Sequence, residues 1–292
     1  MKTAFVFPGQ GSQYVGMGKD LAEAYLDQAN NVLGFDLKKI CFEGPEDELK
    51  NTQITQPAIL TISFAAFELL KNKGLPLPEV MAGHSLGEYS ALTAAGAIAF
   101  ADAVKLVHLR GKFMQEAVPV GQGAMAAILG ADRQLVAEIC QQVGEVWPAN
   151  FNSSGQIVIS GKKASVDLAG EKLKAAGIKR VIPLAVSAPF HCPLMQPAAD
   201  KLSVELDKIE ISDAKIPVVS NVTADFVTAA AQIKSLLVKQ VTSPVLWEDS
   251  VRKMIAAGAT AFIEVGPGKV LSGLIKAIDR KIEAKNYQEV SQ

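Results

Sequence analysis

Residues Ala82 to Ala91 read AGHSLGEYSA, with one serine set between two glycines as Gly83-His84-Ser85-Leu86-Gly87. The short apolar run EVMAGHS before the turn has the composition of a buried strand. LGEYSALTAAGAIA after it is rich in helix formers. A strand that turns sharply into a helix holds such a serine with its hydroxyl exposed, and the glycines let neighbouring backbone pass close by. The N–H of Leu86 then stands at a helix start, where it can point toward a reacting carbonyl. Ser85 is therefore a candidate nucleophile. A plain Gly-Ser turn without chemistry reads the same way locally, so the surrounding chain has to decide.

Outward from the turn, strands and helices alternate. KTAFVFP is a strand, GMGKDLAEAYLDQANNVL and TQPAILTISFAAFELLKNKG are helices, and FADAVKLVHLRGKFMQEA is a further helix with apolar residues at helical spacing. This is the pattern of an α/β core with a mostly parallel sheet. From Gly123 the order becomes strand AMAAIL, helix ADRQLVAEICQQVG, strand VWPANFN, strand IVISG, helix KASVDLAGEKLKAAG and strand KRVIPL. That β-α-β-β-α-β order is a ferredoxin-like unit. The expected organisation is a core of residues 1–122 and 188–292 with a small inserted subdomain at 123–187. The core resumes with PVVSNVT, a helix from Trp247 and the strand TAFIEVG, and the final NYQEVSQ is expected to fray.

The 292 residues are 49% hydrophobic with a formal net charge of −1, enough for one large core or two domains. No basic excess points to nucleic acid or an anionic membrane surface. The apolar windows AILTISFAAF and ALTAAGAIAFADAV read as too short or too interrupted to span a bilayer, and the N-terminal residues lack a signal-peptide core. The three cysteines, Cys41, Cys140 and Cys192, have no metal-ligand spacing and fit reduced thiols, so the chain is read as cytoplasmic.

A serine nucleophile needs a base, and there are only three histidines. His84 adjoins Ser85 in a tight turn, where neighbouring side chains diverge. His108 lies two residues from Arg110 on one helix, on nearly the opposite face. His191, in the Pro-bracketed loop SAPFHCPLM where the chain returns to the core, remains as the candidate base. The other glycine-rich turn, FPGQGSQYVGMG, fails as a phosphate loop because Tyr14 occupies the third glycine position. At the end of the first strand it is well placed to offer a second N–H to an oxyanion.

The segments FPGQGSQ, GHSLGEYSAL, LRGKFMQ, NFNSSGQIVISG, FHCPLM and EVGPGKVLSG follow one another as in malonyl-CoA:acyl carrier protein transacylases. From residue 3 to residue 278 the chain resembles that family. The resemblance implies an α/β-hydrolase-like core with a ferredoxin-like insert. It also implies transfer of malonyl from malonyl-CoA to the phosphopantetheine thiol of an acyl carrier protein, through a malonyl-serine and without a cofactor or metal. Position by position, it implies Ser85 as acyl acceptor, His191 as base, and the N–H groups of Gln10 and Leu86 as oxyanion hole. Arg110 matches the arginine that pairs with the malonyl carboxylate. The Gln240 carbonyl matches the group that orients the histidine, and its side chain is expected to matter little. Phe190, before the base, matches a position where a bulky residue accompanies malonyl and a small one methylmalonyl. Ser154 stands where the family more often has proline, in the hairpin of the insert.

A serine thioesterase or carboxylesterase on the same core is the alternative, and would place a triad acid between Ser85 and His191. A non-catalytic carrier-binding scaffold is a second. Nothing in the sequence demands more than a monomer.

Overall fold

The computed structural model describes residues 2–186 and 188–291. Ser187, at the end of the expected insert, lies outside the described residues, as do Met1 and Gln292. The strands are β1 (Lys2–Phe7), β2 (Val80–Gly83), β3 (Gly123–Leu129), β4 (Val146–Ser153), β5 (Gln156–Lys162), β6 (Arg180–Pro183), β7 (Val218–Val219), β8 (Phe226–Val227), β9 (Ala259–Glu264) and β10 (Glu283–Asn286). Helices α1 (Glu23–Leu33), α2 (Leu37–Glu43), α3 (Glu46–Leu49), α4 (Thr52–Asn72), α5 (Leu86–Ala94) and α6 (Phe100–Glu116) precede β3. The remaining helices are α7 (Arg133–Val143), α8 (Lys163–Ala175), α9 (Gln196–Leu206), α10 (Ala230–Gln240), α11 (Trp247–Ala256), α12 (Val270–Ile278) and α13 (Tyr287–Val290).

Two sheets result, as the change of rhythm at Gly123 predicts. The larger has the order β10-β9-β1-β2-β7-β8 and is parallel apart from the β7–β8 pair. The smaller, β4-β5-β3-β6, is antiparallel throughout and carries α7 and α8. Alternation along β1 sends Phe5 and Phe7 into a core shared with Leu26 and Ile59, while Ala4 and Val6 face Trp247 and Leu271 on the other side. Helices thus cover both faces, and the central strands are apolar almost without interruption.

Three local expectations need correction. The first helix starts at Glu23 and not at Gly16, because Gly16 and Gly18 adopt φ of 96° and 79° and keep that stretch in turns. The C-terminal segment does not fray: Asn286 and Glu289 close a capping box, and Tyr287 is buried in the core. Finally, α4 is longer than its apolar window and could cross a bilayer by length and composition, yet 78% of that stretch is buried inside the protein. It is the central core helix.

Pro57 lies inside α4 and has no N–H for the carbonyl of Gln53, one turn earlier. His108 of α6 supplies the missing partner, with Nδ1 2.9 Å from that oxygen. The histidine eliminated as a base therefore has a structural task that pins α6 against α4.

The two sheets meet along one edge. Phe151 N–H donates to the Val245 carbonyl and Val245 N–H to the Ala149 carbonyl, both at 2.9 Å, joining β4 to the loop before α11. Arg133 reaches Asp249 at 2.8 Å and Glu248 at 3.0 Å across the same seam. Ser154, the departure from the commoner proline, donates to Glu248 Oε1 at 2.6 Å. It helps clamp one sheet to the other.

The strand-to-helix turn leaves no room at its glycines. A Cβ on Gly87 would stand 2.0 Å from the Phe7 carbonyl oxygen, and one on Gly83 1.9 Å from the Gly87 backbone. Gly87→Ala should accordingly lower stability by about 3 kcal/mol or more, or prevent folding. Gly273→Ala, on an exposed part of α12 with open space around it, should instead raise stability by up to about 1 kcal/mol. Urea denaturation of both variants checks the pair; equal effects would contradict the packing described.

Candidate active site

The site forms where β1 and β2 end, the general position for ligands in a parallel α/β sheet. Ser85 is the N-cap of α5, with φ 53° and ψ −106°, a backbone conformation that a residue with a side chain adopts at a cost of about 1–3 kcal/mol. Asn221, in the loop after β7, holds it there. Its Oδ1 accepts from the Ser85 N–H at 2.7 Å, and its Nδ2 donates to the Gly83 carbonyl at 2.6 Å. The Ser85 side chain makes no cap bond to its own helix. It turns instead toward His191.

Ser85 Oγ lies 2.7 Å from His191 Nε2. On the far side of the ring, Nδ1 lies 2.9 Å from the Gln240 carbonyl oxygen. A carbonyl can only accept, so Nδ1 carries the proton and Nε2 keeps its lone pair for the serine. Gln240 is the last residue of α10, where a helix leaves its carbonyls without intrahelical partners. Helix termination therefore supplies the acceptor. His191 itself has φ 58°, so both members of the pair sit in strained backbone. Burial, and then the nearby Arg110, push the imidazole down to about 3, and the ring is neutral at ordinary pH.

Arg110 is buried, with 1% of its surface exposed. Its Nη2 donates to Ser85 Oγ at 3.1 Å and to Gln240 Oε1 at 2.9 Å, and its Nη1 to Gln56 Oε1 at 2.7 Å. The guanidinium carbon stands 5.2 Å from the centre of the Tyr89 ring. No carboxylate of the described residues forms a salt bridge with it. A buried guanidinium bonded only to amides and a hydroxyl, with its Nε left without a hydrogen-bond partner, is a ready partner for an incoming carboxylate.

These groups line a cavity of about 130 Å³. Gln10 and Leu86 border it on the core side, while Met125, Leu184 and Phe190 form its apolar wall. Gln10 is exposed, and its side-chain amide is 3.4 Å from Thr52 Oγ1. His84 also borders the cavity but is engaged elsewhere: its Nε2 is 2.8 Å from Asn152 Oδ1, and its ring packs on Trp247. Cys192 is fully buried, donates to the Pro189 carbonyl at 3.1 Å, and has a thiol pushed up by burial, so it offers no thiolate beside the imidazole. No group of three His, Cys, Asp or Glu side chains among the described residues could hold a metal ion.

The fold brings Ser85, His191, Arg110, Gln10, Leu86 and Phe190 to one cavity, with Gln240 behind it against His191 and Arg110. The sequence does not bring out Gln56, Asn221 or Glu88. Each is a polar side chain that the fold buries, and burial of such a group is the signal that marks them. The Gln240 side chain also needs correction. Far from idle, its Oε1 accepts from Arg110 and its Nε2 donates to the Ser85 carbonyl at 3.0 Å and to Glu88 Oε2 at 2.7 Å.

The comparisons with known proteins agree with this geometry. The acyl transferase domain family matches residues 4–291. The malonyl CoA-acyl carrier protein transacylase of Bacillus subtilis (strain 168) is 52% identical, over 97% of this chain and 92% of that protein. A solved acyl carrier protein S-malonyltransferase from Vibrio cholerae O1 biovar eltor superposes with a TM-score of 0.95 at 46% identity, covering 98% of this chain and 96% of the other. A malonyl-transacylase solved in complex with its type II PKS acyl-carrier protein gives a TM-score of 0.95 at 47% identity, with the same coverage. With an elbow serine, a neutral imidazole and a buried arginine in one cavity, and relatives of this likeness along its whole length, the chain belongs to the malonyl CoA-acyl carrier protein transacylases of the acyl transferase family.

Proposed function

We propose that this protein transfers malonyl from malonyl-CoA to the phosphopantetheine thiol of an acyl carrier protein, with Ser85 carrying the acyl group between them. The observation that carries the reading is the double contact on one hydroxyl: His191 at 2.7 Å and Arg110 at 3.1 Å from Ser85 Oγ. His191 takes the serine proton as the oxygen attacks the thioester. The N–H groups of Gln10 and Leu86 stabilise the tetrahedral oxyanion, and the imidazolium returns the proton to the leaving coenzyme thiolate. The carrier thiol then attacks malonyl-serine by the same steps in reverse. Arg110 fixes the far carboxylate, and Phe190 bounds the space beside the acyl α-carbon, which favours malonyl over a branched unit.

Transfer, and not hydrolysis, fits the base. A Ser-His-Asp hydrolase stabilises its imidazolium with a carboxylate. Here the Nδ1 partner is a neutral carbonyl, so the imidazolium gains less. In the second half-reaction, where a thiol of pKa about 8.5 competes with water of pKa about 15.7 for the malonyl-serine, a base with so little imidazolium stabilisation favours the more acidic nucleophile. The division into a core of residues 1–122 and 188–292 and a subdomain at 123–187 belongs to the same proposal, supported by the separate sheet β4-β5-β3-β6. The same proposal places the enzyme in the cytoplasm, a reading supported by three buried free cysteines among the described residues, and takes it as a monomer.

Incubation with malonyl-CoA followed by intact-protein mass spectrometry should show one malonyl group on the wild type and none on Ser85→Ala. His191→Ala should acylate about 10²–10⁴ times more slowly. Free malonate accumulating at the rate of acyl-enzyme formation, with no transfer to carrier protein, would favour the esterase. Arg110→Ala should reduce kcat/KM for malonyl-CoA by an amount equivalent to about 2–5 kcal/mol. Acetyl-CoA, which lacks the carboxylate, should be affected much less, and an unchanged malonyl-to-acetyl preference would remove Arg110 from the substrate site.

The pH dependence follows from the depressed imidazole. The base must be unprotonated, and a group held at about 3 stays so as pH falls from 8 to 5. The acid limb of kcat/KM should therefore lie below pH 5, where an ordinary histidine would give one near 6.5. A limb at 6.5 would show that His191 titrates as if solvated.

A further inference from the structure

Glu88 lies in the first turn of α5, with 3% of its surface exposed, and has no part in the steps above. A buried carboxylate with no salt bridge among the described residues would be expensive unless its charge were used. Its Oε2 accepts from Gln240 Nε2 at 2.7 Å and from the Asn221 N–H at 3.1 Å. Gln240 in turn presents Oε1 to Arg110 Nη2 at 2.9 Å. The amide can stand only this way round. Reversed, its NH₂ would face the guanidinium and its oxygen the carboxylate.

The result is a cation and an anion joined through one side-chain amide, guanidinium to amide to carboxylate, with no direct contact between the charges. A direct Glu–Arg pair would occupy the fork that a substrate carboxylate needs. An amide spacer takes only one of the guanidinium's hydrogens, on Nη2, while the negative charge behind it still moderates the cation. Resting on the reading of Arg110 as the malonyl clamp, we propose that Glu88 is a positioning residue that, through Gln240, weakens the grip of Arg110 on the substrate carboxylate and so keeps malonyl transferable. The same two amides tie this carboxylate to the reacting groups. Asn221 holds the Ser85 N–H, and Gln240 holds the Ser85 carbonyl and offers its own carbonyl to His191.

Glu88→Gln separates charge from support. Both hydrogen bonds converge on one oxygen, so a glutamine can place its own carbonyl oxygen there and lose only the charge. The measurement is the ratio of Kd values for acetyl-CoA and malonyl-CoA in a Ser85→Ala background, where no acyl group can transfer, by calorimetry at pH 8.5. Burial pushes the Glu88 carboxyl up to about 7, so it is ionised at that pH. Malonyl-CoA should bind about three- to tenfold more tightly relative to acetyl-CoA when Glu88→Gln is added, the direction expected when a nearby negative charge is removed. A merely structural role would weaken the preference.

Lowering the pH of the Ser85→Ala protein from 8.5 to 6 protonates the same carboxyl without a substitution and should move the ratio in the same direction, even if the glutamine variant folds poorly. The other ionisable groups around Glu88 are Arg110, Tyr89, His191 and His84. Arg110 from α6 stays charged, Tyr89 on its own helix is pushed up to about 12, and burial holds His191 and His84 below the usual imidazole range. A ratio unchanged within twofold in both measurements, or one that falls, overturns the proposal while leaving Arg110 as the clamp. If Arg110→Ala in the same background leaves the malonyl preference intact, the clamp reading fails and this proposal fails with it.

Discussion

The strained backbone of Ser85 is the constraint around which the molecule is organised. At φ 53° the residue cannot hold itself, and at least three separate segments meet to hold it. The Asn221 side chain from the loop after β7 takes its N–H, and Gln240 from the end of α10 takes its carbonyl. The close approach of α5 to the ends of β1 and β2, possible only because Gly83 and Gly87 lack side chains, sets where the hydroxyl comes out. Rigid elements on every side convert a local cost of a few kcal/mol into a hydroxyl aimed at a single point.

Electrostatics at that point are arranged by amides. A neutral carbonyl, and not a carboxylate, holds the imidazole, while Gln56 and Gln240 hold the guanidinium. The carboxylate that a hydrolase would set against its histidine has its counterpart one residue further away, at Glu88, behind Gln240. Moving the negative charge back in this way leaves a positive pocket beside the serine. Such a pocket favours an acyl group that brings its own carboxylate, and it keeps the imidazole unprotonated.

Much of this was legible in the chain. The strand, sharp turn and helix around Ser85, the switch to a β-α-β-β-α-β order at Gly123, and the elimination of His84 and His108 all rest on local spacing, and the observed elements follow them. The failures are also local. Gly16 and Gly18 look tolerable in a helical pattern but take positive φ, and the polar C-terminal residues look loose but are capped and anchored by Tyr287. Ser154, read only as a departure from proline in the insert's hairpin, meets Glu248, 94 residues away in sequence. Glu88 and Asn221 went unremarked in the sequence, since the partners that reveal them are 152 and 133 residues distant.

By itself, then, the sequence determined which residue types would alternate between faces, where the chain must turn, and which serine, histidine and arginine were available for chemistry. Those properties depend on steric preference and hydrophobic period over a few residues. Only the tertiary structure decided what stands between Arg110 and Glu88, which end of α10 faces His191, and why a histidine two residues from Arg110 belongs to a proline's missing hydrogen bond. Hydrogen bonds act over about 3 Å whatever the separation along the chain. Their partners are therefore set by the packing of whole elements, which no short stretch of sequence contains.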